Sequence, residues 1–231
     1  MKKIISAILC ILVFAGVSAY AKGFNDIDGH WAEDVIKKWE GSGYIDGYPD
    51  GSFRPDGVVS RGELAKILSA VFDLADGEDP AYDDVSADEW YYPYLKKTAG
   101  FIPNYSLPML AESNLPYHES SLKGRNDFLP KAYALRAHIA EALVKIKTET
   151  EDIALEEMPI REINRELDKI YEDYETATTP MGKIPANVER MNRYMYYAYK
   201  LNIMTGDGEY FYPYNYMTRA ELLTAIDRMK K

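Results

Sequence analysis

The feature that most constrains this chain is a Phe-x-Pro triplet, followed at a fixed distance by an arginine and then by an apolar helix. It occurs three times. Phe53-Arg54-Pro55 leads to Ser60-Arg61-Gly62-Glu63, Phe128-Leu129-Pro130 to Leu135-Arg136-Ala137-His138, and Phe211-Tyr212-Pro213 to Thr218-Arg219-Ala220-Glu221. The arginine stands eight residues after the phenylalanine each time. Apolar residues at helical spacing follow each arginine: Leu64, Ile67, Leu68 and Val71; Ile139, Ala140, Leu143 and Ile146; Leu222, Ala225, Ile226 and Met229. Such recurrence is the signature of stacked units that bury little alone and pack their apolar faces against one another.

The segments before each triplet also correspond. Unit one opens with Phe24-Asn25-Asp26-Ile27 and Trp31, continues as a short helix around 32–40, and reaches Phe53 through Gly43 and the turn Gly47-Tyr48-Pro49-Asp50-Gly51. Unit two shows Tyr82, Asp84, Val85, Trp90 and Gly100, and a stretch at 105–122 then intrudes before Phe128. In unit three Gly206 and Gly208 match the turn, Arg190 falls at the tryptophan position, and no aromatic-x-Asp opening lies just upstream. Between units two and three, Ile160, Ile163, Leu167, Ile170, Tyr171 and Tyr174 mark one face of an added acidic helix.

The expected organisation is therefore all-α: a leader at 1–21, unit one at 22–78, unit two at 79–147 with a loop insertion at 105–122, an inserted amphipathic helix at 148–187, and unit three at 188–231. Lys2 and Lys3, the apolar run 4–17 and Ala19-Tyr20-Ala21 have the pattern of a secretory signal. The run is short for a bilayer span, and no later stretch is apolar enough for one, so no membrane span is expected in the mature chain. Cys10, the single cysteine, lies inside the leader, so the mature chain is expected to have neither a disulfide nor a cysteine-ligated metal. A net charge of −10 argues against nucleic acid as a partner, and an anionic ligand would have to be recognised by local arginines. Tyrosine is frequent, 20 residues against 7 phenylalanines, and its apolar ring with a polar tip suits wet surfaces and sugars.

Ser60 with Glu63, and Thr218 with Glu221, have capping-box spacing, which explains them as helix starters. The arginine between them is not explained this way. It stands at the first helical position, where the macrodipole disfavours a cation by a few tenths to about 1 kcal/mol. In unit two the box is lost to Leu135 and His138, yet Arg136 stays. Two roles are open: a buried bond to a neighbouring unit's carbonyls or carboxylates, or a bidentate grip on a ligand carboxylate aided by the helix amides. Trp31 and Trp90 are either core or the wall of a sugar groove, whereas Trp39, without counterparts, reads as core. Gly47 and Gly51 are expected to need positive φ. His30, His118 and His138 are scattered, the Asp26-x-Asp28-Gly29 and Asp46–Gly51 stretches lack calcium-loop spacing, and no catalytic motif occurs. No metal, no cofactor and no enzymatic activity are expected.

These residues resemble the S-layer homology (SLH) family of bacterial surface proteins. Unit one carries the resemblance most fully, from Phe24-x-Asp26-Ile27 and Trp31-Ala32 through Gly43, Gly47 and Asp50-Gly51-x-Phe53-x-Pro55 to Ser60-Arg61-x-Glu63; units two and three diverge. The resemblance implies a pseudo-threefold helical prism whose inter-unit grooves bind an anionic secondary polymer attached to peptidoglycan, often through a pyruvylated N-acetylmannosamine. It implies carbohydrate-binding roles for Arg61, Arg136, Arg219, Trp31, Trp90, Gly47, Asp50 and Gly51. It further implies a secreted protein anchored non-covalently to the cell wall or S-layer. A degenerate scaffold without sugar binding, offering its insertions to a surface protein partner, is the alternative. Grooves using unit one are expected to be the most competent, because its motif is the most complete.

Overall fold

The computed structural model describes residues 23–104, 126–174 and 186–230. The expected leader with Cys10 and the insertion 105–122 lie outside these residues. The described residues form seven helices: α1 (Glu33–Glu40), α2 (Arg61–Val71), α3 (Tyr92–Thr98), α4 (Arg136–Thr150), α5 (Ile160–Leu167), α6 (Ala186–Lys200) and α7 (Arg219–Met229). They contain no strand, only three isolated antiparallel bridges, so the fold is all-α.

Each Phe-x-Pro adopts the same conformation. The phenylalanine is buried, and the middle residue is left-handed: φ is 56° at Arg54, 58° at Leu129 and 60° at Tyr212. That conformation costs a non-glycine residue roughly 1–2 kcal/mol. An aspartate upstream offsets it by accepting from two successive amides. Asp26 takes the amides of Phe53 and Arg54, both at 2.7 Å, and Asp84 those of Phe128 and Leu129, both at 2.7 Å. The aromatic residue two positions before the aspartate packs on the phenylalanine, with Phe24–Phe53 centroids 5.2 Å apart and Tyr82–Phe128 centroids 5.1 Å apart.

Unit three was expected to lack this opening, but it is displaced rather than missing. Asp173 accepts from Phe211 N at 2.8 Å and Tyr212 N at 2.6 Å, and Tyr171 packs edge-on to Phe211 at 5.5 Å. Tyr171-Glu172-Asp173 thus does the work of Phe24-Asn25-Asp26. This also explains why the amphipathic pattern through Tyr174 does not continue as helix. Helix α5 stops at Leu167, because Tyr171 and Asp173 must reach the Phe211 turn.

The three units close into a ring through their helix starts. The first amides of a helix lack intrahelical acceptors, and here the next unit supplies them. Arg61 N and Gly62 N donate to Ala132 O and Pro130 O; Arg136 N and Ala137 N to Asn215 O and Pro213 O; Arg219 N and Ala220 N to Gly57 O and Pro55 O. The six distances lie between 2.9 and 3.0 Å. The bridges Ser60–Tyr133, Leu135–Tyr216 and Val58–Thr218 repeat the same contact. Unit one therefore grips unit two, unit two grips unit three, and unit three grips unit one.

Capping boxes form where the sequence places them. Ser60 Oγ accepts from Glu63 N at 3.3 Å while Glu63 accepts from Ser60 N at 2.8 Å, and Thr218 and Glu221 do the same at 3.2 and 2.9 Å. Leu135 caps nothing with its side chain, yet the amides of Arg136 and Ala137 are still held by unit three. Helix α4 is buried continuously from Ala137 to Val144, packing against α6 and α7. A helix enclosed on most sides has no need of an amphipathic stripe. Trp39 is core, its indole N–H donating to the buried Asp227 of α7 at 2.9 Å.

Asp173→Ala should lower stability by about 2–3 kcal/mol, by leaving two amides of a strained turn unpaired. Glu157→Ala, in the same acidic stretch, should leave the urea midpoint unchanged. Equal midpoints for the two variants would contradict the clamp.

Candidate functional site

The three arginines do one thing in common. Each guanidinium crosses to the next unit and donates from Nε to the carbonyl of that unit's Phe-x-Pro phenylalanine: Arg61 to Phe128 O at 2.7 Å, Arg136 to Phe211 O at 2.9 Å, Arg219 to Phe53 O at 2.8 Å. Each also lies over that phenylalanine's ring, at 4.3, 5.7 and 4.6 Å from guanidinium carbon to centroid. This neighbour-unit bond explains why the arginine outlives the capping box in unit two.

What the remaining guanidinium nitrogens do differs between units. Arg219 donates from Nη2 to Asp46 O at 2.8 Å and is 8% exposed; its Nη1 makes no hydrogen bond among the described residues. Arg136 pairs through Nη1 with Glu221 at 3.0 Å, and its Nη2 has no hydrogen-bond partner among the described residues. Arg61 is 0% exposed, with Nη2 on Pro103 O at 2.9 Å and Nη1 3.3 Å from His138 Nδ1.

Among the described residues, two grooves each draw on all three units. The first, of about 770 Å³, is lined by Gly47 and Tyr48 of the unit-one turn, Glu63 and Lys66 of α2, Arg219 and Leu222 of α7, and Trp90 of unit two. The second, of about 520 Å³, is lined by Thr205 and Gly206 of the unit-three turn, Glu221, Thr224 and Arg228 of α7, Arg136 of α4 and Trp31 of unit one. Trp90 and Trp31 are 53% and 64% exposed, so neither is core. An exposed indole beside an arginine with a spare N–H can stack on a sugar ring and hold a carboxylate. Because each groove is shared, the completeness of one unit's motif does not rank it, and Arg61 lines neither groove. Lys66 and Thr224, both five residues after the arginine of their helix, line the grooves but carry no motif; only that fixed offset could have pointed to them.

Gly47, Asp50 and Gly51 shape the turn in different ways. Gly51 has φ of 81° as expected, but Gly47 does not have positive φ. It is needed for room, since a Cβ there would lie 2.5 Å from the Phe24 ring and 2.8 Å from Ser52 O. Asp50 accepts from Ser52 Oγ at 2.5 Å, Arg54 Nη2 at 2.9 Å and Ser52 N at 3.0 Å, which together hold its carboxyl well below the usual carboxylate range. Asp207 does the same in unit three, held at about 2 by the Tyr212 hydroxyl and the amides of Tyr210 and Glu209. Neither Asp50 nor Gly51 lines a groove. Among the described residues no group of three or more His, Cys, Asp or Glu is placed to hold a metal.

The third inter-unit contact contains His138, pushed well below the ordinary histidine range by burial and by the Arg61 and Arg190 charges. Its folded-state pKa is depressed, so the unfolded chain takes up the proton first. Stability from the neutral ring is full above the unfolded value of about 6.5 and falls as pH drops below it, by up to about 1.4 kcal/mol per pH unit. Urea midpoints of the wild type should fall below that pH more steeply than those of His138→Gln; parallel profiles would contradict the assignment.

The S-layer homology domain model matches residues 23–65 and 187–223. The chain is 35% identical over 70 residues to the cellulosome-anchoring protein of Acetivibrio thermocellus, covering 29% of this chain and 16% of that protein. It is 34% identical over 71 residues to cell surface glycoprotein 1 of the same organism, covering 30% of this chain and 3% of that protein. With an S-layer protein of Bacillus licheniformis it shares 28% identity over 152 residues, 62% of this chain and 15% of that protein. The chain thus spans well under a fifth of the length of these relatives. Among the described residues no helix is long and apolar enough to cross a membrane. The matched stretches contain Arg61, Arg219 and both capping boxes, and they place S-layer homology domain sequence at two points of the chain, consistent with a tandem arrangement.

Proposed function

We propose that the chain is a surface protein of the bacterial cell wall or S-layer, holding an anionic secondary cell-wall polymer in its two open grooves and so anchoring non-covalently. The observation that carries this reading is the pairing, in both grooves, of an exposed tryptophan with an arginine that keeps one outer nitrogen without a partner among the described residues. A pyruvylated sugar suits that pairing. Its ketal carboxylate would meet Arg219 Nη1 or Arg136 Nη2, and its ring would lie on Trp90 or Trp31. Lys66 and Arg228 add local positive charge against the acidic whole, which favours one acidic group per groove over a broad anionic surface. The names of the relatives, S-layer and anchoring proteins, support a binding rather than a catalytic role.

The test is sedimentation with purified sacculi, before and after chemical removal of the secondary polymer. Wild type should be retained only on intact sacculi. Trp90→Ala and Trp31→Ala should each weaken retention by roughly tenfold, about 1.4 kcal/mol, without changing the melting temperature. Equal retention on stripped sacculi, or none on either, would overturn the reading.

A second reading keeps the scaffold and assigns binding to a surface protein through the insertions. The buried Arg61, with Nε, Nη1 and Nη2 each on a protein partner, favours it, since one motif position is spent on structure. Replacing 105–122 by a short linker would then abolish partner capture while leaving sacculus retention unchanged.

A further inference from the structure

We infer that the two grooves select different features of one polymer: the first, beside Trp90, takes an apolar substituent such as the methyl of an acetamido sugar, and the second, beside Trp31, takes negative charge. This rests on the groove reading above. The clasp makes the two grooves alike at one point, since each contains an arginine whose Nε is held by a phenylalanine carbonyl. Their walls differ at matched positions.

The first difference is in apolar surface. Tyr44 follows the left-handed Gly43, and Ile203 follows the left-handed Asn202, so the two residues occupy the same place in their units. Tyr44 is 47% exposed and lines the first groove with Trp90 and the half-buried Ile67. Ile203 is fully buried, and Met204, Met217 and Ala225, which line the second groove with it, are at most 3% exposed. The first groove therefore offers a nonpolar group three side chains that still have water to lose, and the second offers it Trp31.

The second difference is in charge. The residue before the turn glycine is Asp46 in unit one and Thr205 in unit three. Asp46 pairs with Lys66 Nζ at 2.7 Å, and Glu63 accepts from the Tyr48 hydroxyl at 3.2 Å, so the first groove sets two acids against Lys66 and Arg219. The second groove sets one acid, Glu221, against Arg136 and Arg228. Glu221 is taken by Arg136 Nη1 at 3.0 Å, and the exposed Arg228 has the Thr205 hydroxyl at 3.4 Å and no carboxylate partner among the described residues. It stands nine residues after the arginine of α7, where α2 has Ala70. A carboxylate in the second groove meets a cation without an acidic partner. In the first it meets Arg219, but the exposed Asp46 opposes any further negative charge. The two grooves are then not interchangeable along a polymer whose residues differ in charge.

The experiment is NMR of the full mature chain, in which the indole N–H signals of Trp90 and Trp31 report one groove each and buried Trp39 is the control. The probes are the methyl glycoside of N-acetylmannosamine and the same glycoside carrying a pyruvyl ketal. The neutral glycoside should shift Trp90 saturably and bind roughly tenfold more weakly at Trp31. The acidic glycoside should shift both. Raising the salt from about 50 to about 500 mM should raise its Kd roughly fivefold at Trp31 and less than about twofold at Trp90. Arg228→Gln should remove most of the salt dependence at Trp31 and leave Trp90 unchanged, and Tyr44→Ser should weaken the neutral glycoside at Trp90. Neutral-glycoside affinity at Trp31 equal to or above that at Trp90, or equal salt dependence at the two signals, would overturn the inference and leave the groove reading in place. If neither probe moves either signal, the groove reading falls and the inference falls with it.

Discussion

The whole molecule depends on one contact made three times: an arginine Nε donating to the carbonyl of a neighbour's Phe-x-Pro phenylalanine, with the guanidinium lying over that phenylalanine's ring. Elementary chemistry makes arginine suited to it. The guanidinium stays charged at any pH a protein meets and offers five donors in a planar fork, so it can bond a carbonyl and still face a ring or a carboxylate. The left-handed residue after each phenylalanine bends the backbone in the same way in all three units, and an aspartate clamps that bend. The strained turn and the buried cation thus belong to one device. The aspartate fixes the turn, and the fixed turn places the carbonyl that takes the arginine.

Closure follows from the order of grips. Arg219 reaches Phe53 across 166 residues of chain, so unit three completes a ring that unit one begins. Contacts so distant in sequence are formed at a large entropic cost, and they are matched here by three near-identical interfaces around one continuous apolar core. Single-unit energetics cannot account for the fold, because the first amides of α2, α4 and α7 are satisfied only when the next unit is in place.

Much of this was legible in the sequence, and the limits have physical causes. The eight-residue spacing from phenylalanine to arginine, the capping boxes and the apolar periodicity all report local geometry, and local geometry is what spacing encodes. The arginine's target was not legible, since a carbonyl is present in every residue and leaves no mark; the sequence said only that Arg136 did not need a cap. The opening of unit three was hidden because Tyr171 and Asp173 stand well upstream of α6, and their apolar-acidic alternation also continues the face of α5. Groove membership was least legible. Trp90 works beside Arg219 and Trp31 beside Arg136, pairings that exist only once the ring has closed.

The same contact accounts for where a ligand can go. An arginine that gives Nε to a neighbouring carbonyl has its outer nitrogens left for whatever lines the seam. Where the seam offers a hydroxyl, a lysine and a tryptophan, one nitrogen stays available and a groove remains. Where it offers Pro103 O and His138, each of the arginine's outer nitrogens has a protein partner. The proposed binding capacity is then a residue of incomplete satisfaction at a structural joint. The clasp, and with it the ring, is the same at all three joints whatever else lines them.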